Sequence, residues 1–216
     1  MATAAHEAPG PDAAPTAHHD EHESTGVDNR KLGMWAFLSS EFLFFGALIT
    51  NYLLYSGRDF AQGPTPAQVY DIPFTSVSSF VLLMSSLTMV LAHNAVSRGD
   101  QSATRTWLLA TAMLGSIFLA GQVFEFTEFV VEQGMTLRTN PAASAFYVLT
   151  GFHGTHVAIG VIMLLSLFGL SRRLGGLSDR RFLNLELVGL YWHFVDIIWI
   201  VIFTVVYLLT ATPGGG

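Results

Sequence analysis

The chain has 216 residues, of which 51% are hydrophobic and only 12% charged, with a formal charge of −6. A soluble domain is roughly 25% charged, and so apolar a composition suits a bundle bathed in lipid better than one core in water. The absence of cysteine excludes disulfides, thiolate metal sites and cysteine nucleophiles, and no phosphate loop, nucleophile elbow or nucleotide fingerprint occurs.

The negative charge is segregated. Residues 1–29 carry Glu7, Asp12, Asp20, Glu21, Glu23 and Asp28 with no Lys or Arg, and the remainder balances to zero. Rich in Ala, Pro, His and acids, this stretch cannot bury enough apolar surface to offset chain ordering, so a disordered tail is predicted. His6, His18, His19 and His22 could chelate a metal. Without fixed spacing the solvated-tail reading is preferred. The tail also lacks the basic start and short apolar core of a secretory signal.

Five apolar runs come next, at about 33–55, 74–96, 107–131, 142–170 and 187–210. Each reaches the roughly 20 residues that a helix needs to cross a bilayer. The predicted fold is therefore all-α: a polytopic five-helix membrane domain over 30–212, with a short tail at 213–216. The fourth run exceeds the need, which suggests tilt. The loop at 56–73 holds Gly57, Gly63, Pro64, Pro66 and Pro73 and should be irregular. Arg30, Lys31, Arg98, Arg105, Arg172, Arg173, Arg180 and Arg181 fall on one side of the membrane and only Arg58 and Arg138 on the other. The positive-inside rule then puts the N-terminus in the cytoplasm and the C-terminus outside. Trp35, Tyr52, Tyr55, Tyr70, Trp107 and Tyr207 lie near span ends and suit an interfacial aromatic belt. Trp192 and Trp199 lie deeper and should pack against neighbouring helices.

Several ionisable groups fall inside these runs, where each costs ~2.5–3.5 kcal/mol to insert. At about 1.5 Å per residue, Glu41 is eight residues beyond Gly33 and roughly 12 Å deep. His93, His193 and Asp196 are expected in the same inner layer. Glu125 and Glu128 are expected in an outer one, with His153 and His156 in the outer half to middle of the fourth span. Each same-helix pair is spaced i, i+3 and looks in similar directions. Glu-x-x-Glu opposite His-x-x-His invites a metal reading, since di-iron bundles use Glu and Glu-x-x-His on facing helices. No helix here carries Glu-x-x-His, and an interhelical polar network of His93, Glu125, Glu128, His153, His156, His193 and Asp196 is preferred, with no metal. Glu41, alone among Phe and Leu, reads equally as a proton-uptake or buffering group and as an acid hydrogen-bonded to a neighbouring helix. Gly151, Gly154, Thr155 and Ala158 form a small-residue face for close helix approach.

The pieces Phe37-Leu38-Ser39-Ser40-Glu41-Phe42-Leu43-Phe44-Phe45, Ser86-Leu87-Thr88-Met89 with Ala92-His93, Gln122-Val123-Phe124-Glu125-Phe126, Gly151-Phe152-His153-Gly154-Thr155-His156-Val157 and Tyr191-Trp192-His193-Phe194-Val195-Asp196 occur in this order. Together they resemble subunit III of the haem–copper oxygen reductases, of the cytochrome c oxidase type, from Lys31 to Leu209. The resemblance implies an accessory subunit without catalytic residues or redox cofactors of its own. Haem and copper would lie in a catalytic subunit I that reduces oxygen to water and pumps protons, with subunit II and a small subunit IV as further partners. Cytochrome c would be the electron donor, membrane phospholipid a ligand, and no nucleic acid is implied. Subunit III would support proton uptake and keep the catalytic subunit active over many turnovers. Glu41 matches the family's buried membrane glutamate; His153, His156, His193 and Asp196 match its polar positions, structural more than catalytic. Longer family members have two more spans at the N-terminus, and this chain begins at what corresponds to the third, which puts the family's lipid cleft in question. The five-span form suggests a bacterial plasma membrane. Subunit III of a quinol oxidase or of a nitric oxide reductase-related complex, and a stand-alone membrane Glu/His metalloenzyme, are the alternatives.

Overall fold

The structure is a computed structural model that describes residues 28–58, 63–174 and 179–209, the side chains of 179–182 excepted. The expectations for the acidic tail and its histidines thus lie outside the described residues, apart from the stretch's last two positions. Asp28 caps the first helix by accepting a hydrogen bond from the Arg30 amide, and Asn29 begins it.

The elements in order are α1 (Asn29–Tyr55), α2 (Pro66–Val69), α3 (Ile72–Ser97), α4 (Gln101–Val131), α5 (Pro141–Arg173), α6 (Asp179–Ile202) and a π-helical segment (Phe203–Leu208). Among the described residues, five helices are long and apolar enough to cross a membrane, the last one over Leu183–Leu208. All five start before the apolar runs that announced them. Polar caps carry the chain into helix while it is still in the interface: Asp71, Asp100 and Asn140 each accept an amide hydrogen bond from the first turn of the helix they precede. The loop after α1 is less irregular than expected, because Thr65 and Gln68 form a capping box around the single turn of α2.

The α3–α4 turn is tight, with Gly99 at φ 75° in the left-handed region that favours glycine. α4 packs on α5, α5 on α6, and α6 back on α3, so these four helices close a ring; α1 lies outside it, against α5 and α6. Burial matches this plan: 50% of the α6 span is buried but only 11% of the α1 span. The ring's interior centres on Trp192, Trp199, Phe118 and Phe146, all buried. Trp192 lies between Gly115 and Gly160, where a Cβ would come within 2.5 and 2.7 Å of its indole ring. Its Nε1 donates to Ser85 Oγ at 3.0 Å, and Trp199 Nε1 donates to Ser79 Oγ at 2.9 Å. Outward-facing positions such as Phe42, Leu43, Val77, Phe80 and Ile162 are apolar and exposed, as lipid contact requires. Tyr52 and Tyr207, expected in the interfacial belt, are buried instead; the aromatic cluster described below draws them in. Trp35 is exposed.

Candidate functional site

The polar groups gather in three places, and depth counted along the sequence sorts them only partly. The first is the Glu41–His156 pair, which joins α1 to α5. Glu41 Oε2 lies 3.2 Å from His156 Nε2, and both side chains are largely shielded. His156 Nδ1 is 2.8 Å from the Phe152 carbonyl oxygen. A carbonyl only accepts, so Nδ1 carries a proton and Nε2 is left to face the carboxyl group. One further proton can then sit on either partner, giving a neutral acid with imidazole or a carboxylate with imidazolium. Phe45 covers the His156 ring at 5.1 Å, and Tyr191 of α6 donates to the His156 carbonyl at 3.0 Å. The two residues were expected in different layers. They meet because both lie near the middle of their helices: Glu41 is twelve residues into α1, roughly 18 Å deep, and His156 fifteen residues into α5.

The second place lies between α3 and α6. Ser86 Oγ is 3.2 Å from His193 Nδ1 and also faces the Asp196 carboxyl group. Asp196 is buried, and its Oδ1 has no hydrogen-bond partner. His93, His193 and Glu186 line a recess of about 230 Å³, and the Glu186 carboxylate pairs with Lys31 at 2.7 Å. Beside it, Trp35, Leu38, Phe42, Leu190, Phe194 and Ile197 line an apolar groove of about 510 Å³ between α1 and α6.

The third lies at the opposite end, beside the α4–α5 turn. The Thr75 hydroxyl is 2.6 Å from Glu125 Oε1, and Tyr207 OH donates to Glu125 Oε2 at 3.4 Å. The Tyr207 ring packs on Tyr70 at 4.4 Å, and the Tyr70 and Tyr52 hydroxyls are 2.8 Å apart. Burial, and then the neighbouring Tyr52 phenol, push Tyr70 well above the ordinary tyrosine range. Glu128 is half-buried and close enough to act on Glu125 electrostatically.

His153 joins none of these. It is fully buried, stacked on Trp199 at 4.8 Å with Phe118 and Phe45 at its edges, and neither ring nitrogen has a partner. Glu125 and His156 are therefore committed to different partners at different depths, and Glu-x-x-Glu does not face His-x-x-His. Among the described residues, no three His, Asp or Glu side chains are gathered as metal ligands would be.

A family model described as "Cytochrome c oxidase subunit III" matches residues 12–211. The chain belongs to the cytochrome c oxidase subunit III family. It is 38% identical to a cytochrome c oxidase subunit 3 of Thermostichus vulcanus, over 90% of this chain and 94% of that one. It is 37% identical to the Alkalihalophilus pseudofirmus protein of the same name, over 88% and 92%. A probable quinol oxidase subunit 3 of Staphylococcus saprophyticus is 34% identical, over 87% and 96%. This is thus subunit III of a haem–copper oxidase, an integral membrane protein. Reasoning from subunit III's sequence missed Thr75, Ser79, Ser85, Ser86, Tyr191 and Tyr207 as partners of the singled-out groups. A signal did exist for four of them: Thr75, Ser79 and the Ser85-Ser86 pair recur at helical spacing along α3 and mark its inward face.

Proposed function

We propose that this subunit III serves a cytochrome c oxidase of the bacterial plasma membrane, standing beside subunits I and II and a small subunit IV, with its N-terminus in the cytoplasm. It carries no redox centre; haem and copper belong to its partners, and phospholipid is its ligand. Its task is to sustain proton uptake and the active lifetime of the catalytic subunit. The observation that supports this best is the Glu41–His156 pair. Two groups able to share one proton sit mid-membrane on separate helices, where a merely structural contact would be met more cheaply by a neutral hydrogen bond. The remaining groups, His93, Glu125, Glu128, His153, His193 and Asp196, serve to fix the helices rather than to carry chemistry, and no metal is assigned to them.

Gentle-detergent purification of the tagged chain, with spectra and mass spectrometry, tests the assignment. Haem bands and a large catalytic subunit are expected, with cytochrome c as the donor that supports turnover; turnover on quinol alone would move the chain to the quinol oxidase branch. Glu41→Gln should leave that complex assembled but slow its proton uptake or shorten its active lifetime. Unchanged turnover, pumping and inactivation would remove Glu41 from the mechanism.

A further inference from the structure

The hydrogen bonds around Glu125 locate a proton. Thr75 Oγ1 lies 2.9 Å from the Asp71 carbonyl oxygen and 2.6 Å from Glu125 Oε1. One hydroxyl has one proton, and the backbone carbonyl can only accept. If Thr75 gives its proton to a Glu125 carboxylate, two oxygen lone pairs face each other at 2.9 Å in a buried site. If Thr75 donates to Asp71, the shorter contact must be filled by a proton on Glu125, and every oxygen is then satisfied. The charged groups that act on Glu125 are the carboxylates of Asp71, which caps α3, and of Glu128, one turn on in α4. The groups facing it from the π-helical segment, from α5 and from the α2–α3 link are the phenols of Tyr207, Tyr147 and Tyr70. None of these is basic, so a carboxylate here would gain only weak donors against two like charges.

A second observation is independent of the first. The chain leaves α-helical geometry at Phe203 for one π-helical segment, closed by the Leu209 amide on the Thr204 carbonyl at 2.9 Å. The inserted residue rotates the remainder of the segment by about 100° relative to a continuous α-helix. That rotation turns Tyr207 inward, onto Glu125 and Tyr70. Such insertions gather at functional sites.

We infer that Glu125 is held as a neutral carboxylic acid, and that its proton is a latch fastening the first turn of α3 to α4. With the proton in place, Glu125 donates to Thr75 and accepts from Tyr207, and Tyr207 buttresses the Tyr70–Tyr52 pair that reaches α1. Loss of the proton to an alkaline phase at this end leaves a third carboxylate beside Asp71 and Glu128. Thr75 must then turn its one proton from the Asp71 carbonyl to the carboxylate, so the first turn of α3 loses that bond, while the Tyr207 bond, now made to a charged oxygen, tightens. The latch is thus closed at low pH and opens as pH rises.

The test is infrared spectroscopy with hydrogen–deuterium exchange on the assembled oxidase in native membranes. The wild type should show, at neutral pH, a protonated-carboxyl band that shifts in D2O and is missing from Glu125→Gln. Exchange over residues 72–76 should rise with pH in the wild type and stay flat in Glu125→Gln, whose amide keeps both a donor and an acceptor. Absence of a Glu125-dependent band, or an equal rise in both proteins, would overturn the latch. Should Glu125→Gln not assemble, Tyr207→Phe removes only the hydrogen bond that Glu125 accepts. It should move the carboxyl band to higher frequency; an unmoved band would be equally fatal.

Discussion

At Glu41 a carboxyl group in a run of Phe and Leu is balanced by a single imidazole, and this makes the pair unforgiving. Removing one partner strands the other, at a cost of ~1–3 kcal/mol. Removing both leaves two apolar side chains against Phe45 and lipid. His156→Leu should therefore lower the yield of detergent-stable oxidase several-fold, and Glu41→Leu combined with His156→Leu should recover much of it. A double variant as depleted as the single one would mean that the pair is held by its surroundings rather than by itself. Asp196 is bound less tightly, with Oδ1 unpartnered and one serine hydroxyl facing it. Asp196→Leu leaves that hydroxyl its contact with His193 Nδ1, 3.2 Å away. It should be milder than His156→Leu, measured by the same yield.

The helices meet where side chains are small or absent. Trp192 fills the ring's centre because Gly115 and Gly160 have no Cβ to exclude it and Ser85 holds its indole nitrogen. Gly160→Val should cost ~1–3 kcal/mol by overpacking, seen as a lower thermal midpoint of the complex. Gly169→Val, at a position where a Cβ meets nothing, should leave it nearly unchanged. These contacts mark the limit of what could be read beforehand. Hydropathy runs located the five spans, because membrane thickness sets a length that sequence alone can satisfy. Which groups pair was not legible, because sequence distance gives depth but leaves each helix free to rotate. Glu41 stays level with His193, since Phe42 and Leu43 share a groove with His193 and Ile197, yet its side chain turns to His156 on α5. The π-helical insertion that turns Tyr207 inward left no hydropathy signal at all, since a phenol near a span end reads as an interfacial anchor whichever way it points.

For the whole molecule, the consequential fact is that α1 stands outside the ring. Its outer face, with Trp35, Phe42 and Leu43, is exposed, beside the apolar groove it forms with α6. The proposed orientation is likewise a property of the intact chain. Because the chain has no cysteine, single cysteines report topology without interference. Ser102→Cys, in the first turn of α4, should be labelled by an impermeant thiol reagent only from the cytoplasmic side. Gln133→Cys, in the α4–α5 turn, should be labelled only from outside. The reverse pattern would invert the placement of the latch as well as that of the tail.

Synthesis gives the position of α1 another meaning. It is made before the other four described spans, yet both helices it packs against are made last. Glu41 waits 115 residues for His156, roughly 6 to 23 s at ordinary elongation rates of ~5–20 residues per second. Throughout that interval the first helix carries an acid into the bilayer with its eventual partner unmade. Either the carboxyl group crosses in its protonated form, or another protein shelters it. The order in which the chain is made therefore selects for an α1 that can stay in lipid alone, and the Phe42-Leu43-Phe44-Phe45 run after Glu41 meets that need.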